Sequence, residues 1–175
     1  VEADNGSNWN TFDSNVVNGT GAIGTAGGGF FLHGANNNMV SNNLVENTAG
    51  VGIGIENWDS STINIGNTVT GNIVSGSGGA GLGLFAAAPG AAAWENVVEG
   101  NTTTKNNFAG LMIHAHAAHQ NVDGNVFRNN TLSGNGTDVL NPADKMPAGI
   151  SLFSAVVPIR GTVITGNTIT GEHYG

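Results

Sequence analysis

Cysteine is absent from this chain, and positive charge is scarce: four lysine or arginine residues stand against twelve aspartate or glutamate residues, for a net charge of −8. The lack of cysteine excludes disulfide bonds and thiolate metal sites. Because an acidic chain with scattered cations repels phosphate backbones and anionic membranes, we do not expect nucleic-acid binding. Polyanionic sugars would be repelled as well unless cations accompany them.

Long apolar runs and helical patterns are missing too. The longest apolar stretch, residues 80–94, is interrupted by Gly81, Gly83, Pro89 and Gly90, which excludes a membrane span. No window repeats apolar residues about every 3.6 positions, and 29 glycines with frequent asparagine and threonine disfavour long helices. The composition therefore predicts an all-β protein, and its poverty in lysine favours an extracellular or cell-surface location.

A repeat marked by asparagine dominates what is present. Anchor asparagines recur at intervals of 28, 29, 29, 29 and 37 residues, at Asn15, Asn43, Asn72, Asn101, Asn130 and Asn167. A second column lies five residues earlier, at Asn10, Asn38, Asn67, Asn96 and Asn125, and ends where Thr162 takes the position. Self-similarity at a fixed period of this length is the sequence signature of a solenoid, in which one repeat forms one coil.

Two columns of mainly apolar residues and one alternating phrase accompany the asparagines. The columns lie three residues before and two residues after each anchor, as at Val69 and Val74. The phrase, glycine followed by alternating apolar residues, occurs at residues 29–33, 52–56, 81–85, 110–114 and 149–153. These short runs predict strands, and equivalent strands of successive coils should pair in parallel at roughly 4.8 Å. The asparagines would then stack as ladders in which each carboxamide satisfies its neighbour.

Three segments carry a resemblance to a known family: VTGNIV at residues 69–74, VEGNTT at 98–103 and ITGNTI at 164–169. They resemble the repeat of right-handed parallel β-helix proteins, the pectate-lyase-like superfamily. The resemblance implies an all-β, right-handed parallel β-helix (β-solenoid) of about five to six coils of roughly 29 residues, with three sheets around a narrow apolar core. It leaves function open, because the superfamily includes polysaccharide lyases, glycoside hydrolases, uronan epimerases, adhesins and phage tailspikes.

We expect a single β-helix domain over residues 1–175. The first coil begins at Asn10, and the last segment ends where another glycine-led strand should begin. We therefore expect the domain to belong to a longer solenoid or to a stacked assembly that pairs its open ends. Residues 20–28, 86–94 and 134–147 depart from the repeat and predict surface loops.

The glycine-led strands should carry the contact face, because in the resembling enzymes the corresponding sheet forms the substrate cleft. Its predicted outward residues are Phe31, His33, Glu56, Phe85, Met112, His114 and Phe153. One interpretation is a groove with aromatic platforms and a few polar groups for sugar. The alternative, which the sequence favours, is an ordinary exposed face or an interface covered by a partner.

His114 and His116 form the sharpest local signal. Two residues apart on a strand, their side chains share a face at a spacing of about 6.6 Å, which would let both imidazoles bind one divalent metal ion. His119, in the following turn, is the candidate third ligand. Ordinary surface or packed histidines are the alternative, so no cofactor is implied beyond a possible divalent metal.

The parts that enzymes of the resembling family require are mostly missing. Lyases need clustered carboxylates for calcium and a basic residue as general base, and only Lys145, in the third departure from the repeat, is attractively placed. Hydrolases of this fold use an Asp-Asp pair, and no two carboxylates are adjacent in this chain. Epimerases of the fold carry Asp-Pro-His, and no proline here precedes a histidine. Glu56, His114 and Lys145 remain as candidate catalytic residues.

These observations favour an extracellular structural or binding scaffold that is not catalytic. Its candidate partners are a polysaccharide and further copies of itself, joined through the open β-helix ends. The alternative is a polysaccharide lyase or uronan epimerase acting in a groove on the sheet face.

Overall fold

The computed structural model describes residues 1–22, 27–60, 62–138 and 148–173. Twenty short strands, numbered β1 to β20 in chain order, wind as a solenoid in which each coil contributes one strand to each of three sheets. Within the described ranges there is no helix, and hence none long and apolar enough to cross a membrane. The prediction of an all-β solenoid is confirmed.

The three main sheets each contain six strands. Sheet A consists of β1 (Glu2–Asp4), β4 (Phe30–His33), β7 (Ile53–Asn57), β11 (Leu82–Ala86), β15 (Leu111–Ala115) and β18 (Ile150–Ser154). Sheet B consists of β2 (Thr11–Asp13), β5 (Met39–Ser41), β9 (Thr68–Thr70), β13 (Val97–Glu99), β16 (Val126–Arg128) and β19 (Val163–Thr165). Sheet C consists of β3 (Val16–Asn18), β6 (Leu44–Glu46), β10 (Ile73–Ser75), β14 (Thr102–Thr104), β17 (Thr131–Ser133) and β20 (Thr168–Thr170).

The strands pair in parallel and in the register that the repeat predicts. Val69 lies beside Val98 in sheet B, and Val74 lies beside Thr103 in sheet C, each pair one period apart. In sheet A, all five residues of β11 pair with all five residues of β15. Residues at equivalent positions of the repeat therefore form straight rows along the solenoid axis.

The prediction of a surface loop over residues 86–94 holds for residues 87–90 and is wrong for the ends of the segment. Ala86 ends β11, and β12 (Ala92–Trp94) pairs in parallel with β8 (Ile63–Ile65) of the preceding coil to form a two-stranded sheet D. Ala91 and Ala93 are fully buried in the core. These alanines therefore belong to the interior of the solenoid and not to a surface loop.

One continuous apolar core fills the space between the sheets. Its main rows are the two predicted apolar columns and the inward residues of sheet A, and Ala91 and Ala93 extend it at sheet D. Leu152, Ile164 and Ile169 belong to these rows but remain 43 to 46% exposed, because they lie on the last described strands of the three sheets. A longer solenoid or a stacked assembly that would cover them stays a prediction.

Both predicted asparagine ladders are present. The backbone N–H and the side-chain Nδ2 of Asn72 both donate to Oδ1 of Asn101 at 2.9 Å, and Nδ2 also donates to the carbonyl of Val40 at 2.9 Å. The second ladder repeats the pattern, for example from Asn67 to Asn96. It ends at Thr162, whose buried Oγ1 has no hydrogen-bond partner.

A third ladder was not predicted. Asn106 donates through its backbone N–H and Nδ2 to Oδ1 of Asn135. The backbone N–H and Nδ2 of Asn135 in turn donate to the carboxylate of Glu172. The backbone N–H of Ser77 donates to Asn106 at the other end of the row. These residues follow the anchors by five positions, but serine at one end and glutamate at the other hide the column in the sequence.

Tight corners precede the anchors, as the glycines there predict. Gly71, Gly100 and Gly166 have φ values of 65°, 63° and 65°, in the left-handed region. In other coils, Asn42 and Asn129 occupy the same corner with φ values of 53° and 56°. Asparagine tolerates this conformation better than most residues with a side chain, which explains why it replaces glycine here.

The ladders should contribute strongly to stability. In Asn72→Ala, two buried N–H groups of Asn43 would lose their acceptor, and Val40 would lose a donor. Because each unpaired buried polar group costs about 1–3 kcal/mol, we expect the free energy of unfolding to fall by about 3 kcal/mol or more. Urea unfolding followed by circular dichroism measures this loss.

Asn18→Ala is the matched control for this substitution. Asn18 is exposed, and within the described part of the chain its carboxamide bonds to the side chains of Glu46 and Asn47. We expect its loss to change the free energy of unfolding by less than about 0.5 kcal/mol. Equal losses in the two variants would contradict the special role of the buried ladder.

Candidate functional site

The outer face of sheet A brings the predicted contact residues together in two rows. In the first row, Phe85 pairs with Glu56 on one side and with His114 on the other, and His114 pairs with Phe153. His33, at the end of β4, belongs to the same row. The second row contains Phe31, Gly54, Gly83, Met112 and Ser151.

Two glycines shape this face by leaving space for neighbouring side chains. A Cβ atom at Gly54 would lie 2.4 Å from Oε1 of Glu56, and one at Gly83 would collide with the ring of Phe85. The side chains of Glu56 and Phe85 therefore lie back along their own strands, over the glycine two residues earlier. Any larger residue at either glycine would push the Glu56 carboxyl or the Phe85 ring out of place.

Aromatic and imidazole rings continue along the first row. The ring centroid of His114 lies 6.0 Å from that of Phe85, 4.9 Å from that of Phe153 and 5.2 Å from that of His116. Burial lowers the pKa of His114, and the neighbouring charge on His116 lowers it further. His114 is therefore held towards its neutral form in the middle of a row of rings.

Trp58 stands between two pockets on this face and contributes to both. The first, called here the apolar pocket, has a volume of about 170 Å³ and is lined by Trp58, Phe85, Ala87, Phe108, Met112, His114 and His116. The second, called here the acidic pocket, has a volume of about 200 Å³ and is lined by Glu2, Phe31, His33, Glu56 and Trp58. Trp58 is 57% exposed and follows the end of β7, so its indole is accessible from solvent.

A small apolar cluster outside the main core forms the floor of the apolar pocket. Met112 is only 1% exposed and packs with the buried Ala80 and Ala109. Phe85 and Phe108 are partly buried and pack against this cluster. An apolar cluster on the outer face of a sheet, open to a pocket, is a feature of binding surfaces.

A buried carboxyl group distinguishes the acidic pocket. Glu56 is 4% exposed, and its Oε2 accepts a hydrogen bond of 2.8 Å from Nε1 of Trp58. Burial raises the pKa of Glu56 to about 7, although the hydrogen bond from Trp58 acts in the opposite direction. Nearby, Nε2 of His33 lies 3.1 Å from Oδ2 of the exposed Asp59, within hydrogen-bond distance.

The candidate residues do not all meet at one point. Glu56 and His114 line different pockets on either side of Trp58, and Lys145 lies outside the described residues. The rings of His114 and His116 come close, as their spacing predicts. However, within the described ranges no three His, Cys, Asp or Glu residues are placed to hold a metal ion, so His119 does not complete a three-ligand set there.

Sequence reasoning missed Trp58 and Phe108, which complete the two pockets. Both lie outside the strands, and the positions one period away hold Ala87 and Gly79, so no column of the repeat marks them. The sequence signal that could have identified Trp58 is its position two residues after Glu56, an acidic residue on the sheet face. Reasoning from outward strand positions also did not anticipate that Glu56 and Met112 would be 4% and 1% exposed. Trp58 hydrogen-bonds to Glu56, and phenyl rings pack against the cluster that contains Met112.

Comparison with known proteins identifies the family. A family model described as the right handed beta helix region matches residues 1–127. The chain therefore belongs to the right-handed parallel β-helix family, as the sequence resemblance implies.

No curated protein sequence matches the chain. Among solved structures, it is similar to a mutant of the periplasmic alginate epimerase AlgG, with 17% sequence identity and a TM-score of 0.36. The similarity covers 95% of this chain and 45% of the epimerase chain, so this chain spans less than half of that protein's length.

The buried Glu56 should make stability depend on pH. Its pKa rises from 4.5 in the unfolded chain to about 7 in the folded one, so the stabilisation from the protonated carboxyl is complete below pH 4.5. As the pH rises from 4.5 to about 7, that stabilisation decreases by about 1.4 kcal/mol per pH unit. The total loss is up to about 3 kcal/mol. The Glu56→Gln side chain cannot ionise and does not lose this stabilisation. Relative to the unsubstituted chain, the free energy of unfolding of this variant should therefore rise over this interval.

Chemical unfolding at several pH values between 4 and 8 measures this difference. Glu95→Gln removes a carboxylate from an exposed position and serves as the control. A difference between Glu56→Gln and the unsubstituted chain that stays constant over the whole interval would contradict the assignment.

Proposed function

We propose that the outer face of sheet A binds a neutral polysaccharide and that the β-helix acts as a rigid extracellular scaffold for this face. One observation carries the proposal: Trp58 stands exposed between two adjoining pockets, with further rings on both sides. A face of this kind presents several flat rings one after another, which suits a ligand longer than one sugar unit.

The chemistry of the face suits a carbohydrate. Indole and phenyl rings offer flat apolar surfaces that match the C–H faces of sugar rings. Glu56 and His33 offer hydrogen-bonding groups beside the Trp58 ring. A few polar groups set among aromatic side chains are the usual composition of small-molecule and sugar sites.

Charge favours a neutral glycan over an acidic one. The residues that line the two pockets include two carboxylic acids and no lysine or arginine. The chain as a whole carries a net charge of −8. A polyanionic sugar would therefore be repelled at long range and would meet no lysine or arginine among the described residues that line the two pockets.

Trp58→Ala tests the binding proposal. We expect the affinity for a neutral polysaccharide to fall by about tenfold or more, because truncating a central aromatic contact commonly costs more than 1 kcal/mol. Isothermal titration calorimetry with soluble neutral polysaccharides of different backbones measures the affinity. Trp9→Ala is the matched control, because Trp9 is 78% exposed and lines neither pocket.

The pattern of losses decides the result. Binding that Trp58→Ala abolishes and Trp9→Ala preserves supports the proposal. The absence of any neutral glycan that binds, or equal losses in the two variants, would contradict it.

A second candidate function is carbohydrate cleavage or epimerisation, and Glu56 favours it. A buried carboxyl whose pKa lies near neutrality can give or take a proton in the acidic pocket. If the site is catalytic, incubation with neutral glycans or with uronic-acid polymers plus calcium or zinc should yield new reducing ends, unsaturated products or an altered uronic-acid composition. Glu56→Gln should abolish the reaction. If a glycan binds and no product forms, the result supports the scaffold function instead.

A further inference from the structure

The apolar pocket differs from the acidic pocket in ways that a sugar does not explain. None of its seven lining residues is Asp, Glu, Lys or Arg. The Nε1–H of Trp58, one of its few polar groups, is already donated to Glu56 on the other side of the ring. Sugar hydroxyls entering this pocket would lose hydrogen bonds to water and find few replacements.

We propose that the apolar pocket binds a single neutral aromatic ring carried by the ligand. This inference rests on the proposed function in one respect: it takes the ring to be a substituent of the bound glycan. The site and the class of ligand follow from the lining of the pocket itself.

The size of the pocket fits one ring. Its volume is about 170 Å³. An apolar protein cavity of about 150 Å³ is known to accept benzene. A fused multi-ring system or a long acyl chain would have to extend out of the pocket into solvent.

The surrounding side chains favour an aromatic ring over an aliphatic group. Five of the seven lining residues carry rings: Trp58, Phe85, Phe108, His114 and His116. Rings pack favourably against one another in offset and edge-to-face arrangements, and His114 already packs edge-on against His116 and Phe153. A bound ring would extend this arrangement towards the indole of Trp58.

The floor of the pocket adds a contact that suits an aromatic ring. Met112 is buried, packs with Phe85 and Phe108, and lines the pocket. A thioether packs favourably against an aromatic ring, and its flexible chain adapts to the shape of the ligand. His114, held towards its neutral form, brings no fixed charge that would favour an ionic ligand.

The methyl group of Met112 offers a direct readout of this site. The chain contains three methionines, and the Met112→Leu variant identifies the Met112 signal in the spectrum of methyl-labelled protein. Titration with phenol should shift that signal, because the current in a bound aromatic ring changes the field at a neighbouring methyl group. Cyclohexanol, of similar size but not aromatic, should bind about threefold or more weakly.

Filling the pocket provides the test by mutation. Ala87→Phe places a ring into the pocket from its wall and should weaken phenol binding by about tenfold or more. Thr131→Phe adds the same side chain at an exposed position of sheet C and should leave binding unchanged. Circular dichroism of both variants verifies that the solenoid has formed.

Two further ligands distinguish the source of the ring. Phenyl glycosides of neutral sugars should bind more tightly than both phenol and the methyl glycosides of the same sugars. Equal binding of phenol and the phenyl glycosides would support the ring site but overturn its link to a glycan.

Failure of this inference can be separated from failure of the proposed function. If neutral polysaccharides bind but neither phenol nor phenyl glycosides shift the Met112 signal, the aromatic-ring site is wrong and glycan binding stands. If phenol binds in the apolar pocket and no glycan binds, the ring site stands and the glycan function fails. If Ala87→Phe and Thr131→Phe bind phenol equally well, phenol occupies another place and the inference is overturned.

Discussion

The hydrogen bond from one asparagine to the next, one coil further along, is the interaction on which the rest of this structure depends. A parallel solenoid brings polar corners into its interior, where unpaired carboxamides would be costly. An asparagine inside a ladder meets this cost by accepting from the coil on one side and donating to the coil on the other, as Asn72 does with Asn43 and Asn101. Because a shift in register by one residue would break every rung, the ladders hold successive coils in a single alignment.

That alignment also builds the candidate site. Rows of outward side chains on sheet A are straight only because each coil repeats the one before, so Phe85, His114 and Phe153 stack across three coils. Gly54 and Gly83 then allow a carboxyl and a phenyl ring to lie flat against the sheet. The result is a continuous face in which an apolar pocket and an acidic pocket adjoin. A site of this kind is rigid before a ligand arrives, which reduces the entropic cost of binding.

The sequence predicted the architecture well because the repeat records it directly. The repeat period places equivalent residues of successive coils side by side. The columns that contain Val69 and Val74, the two asparagine ladders and the parallel register all follow from this. Prediction failed where local composition concealed the same period: the third ladder begins with Ser77 and ends with Glu172, and the alanine-rich segment 86–94 resembles a loop although it contains β12.

The site was harder to predict than the fold for a physical reason. The residues of the sheet face could be identified from strand alternation, but their burial depends on side-chain directions that the alternation does not determine. Glu56 folds back over Gly54 and accepts a hydrogen bond from Trp58, which lies beyond the end of β7. Pockets formed by a strand residue and a turn residue require the turn geometry, which a period in sequence does not supply.

The most direct test of this account is a nuclear Overhauser measurement between the side-chain amides of Asn72 and Asn101. The ladder predicts contacts between the Asn101 carboxamide protons and the backbone and side-chain amide protons of Asn72, with the same pattern from Asn43 to Asn72. Contacts confined to neighbours in sequence, or an antiparallel pattern between the strands that contain these residues, would contradict the alignment of coils and the candidate site built on it.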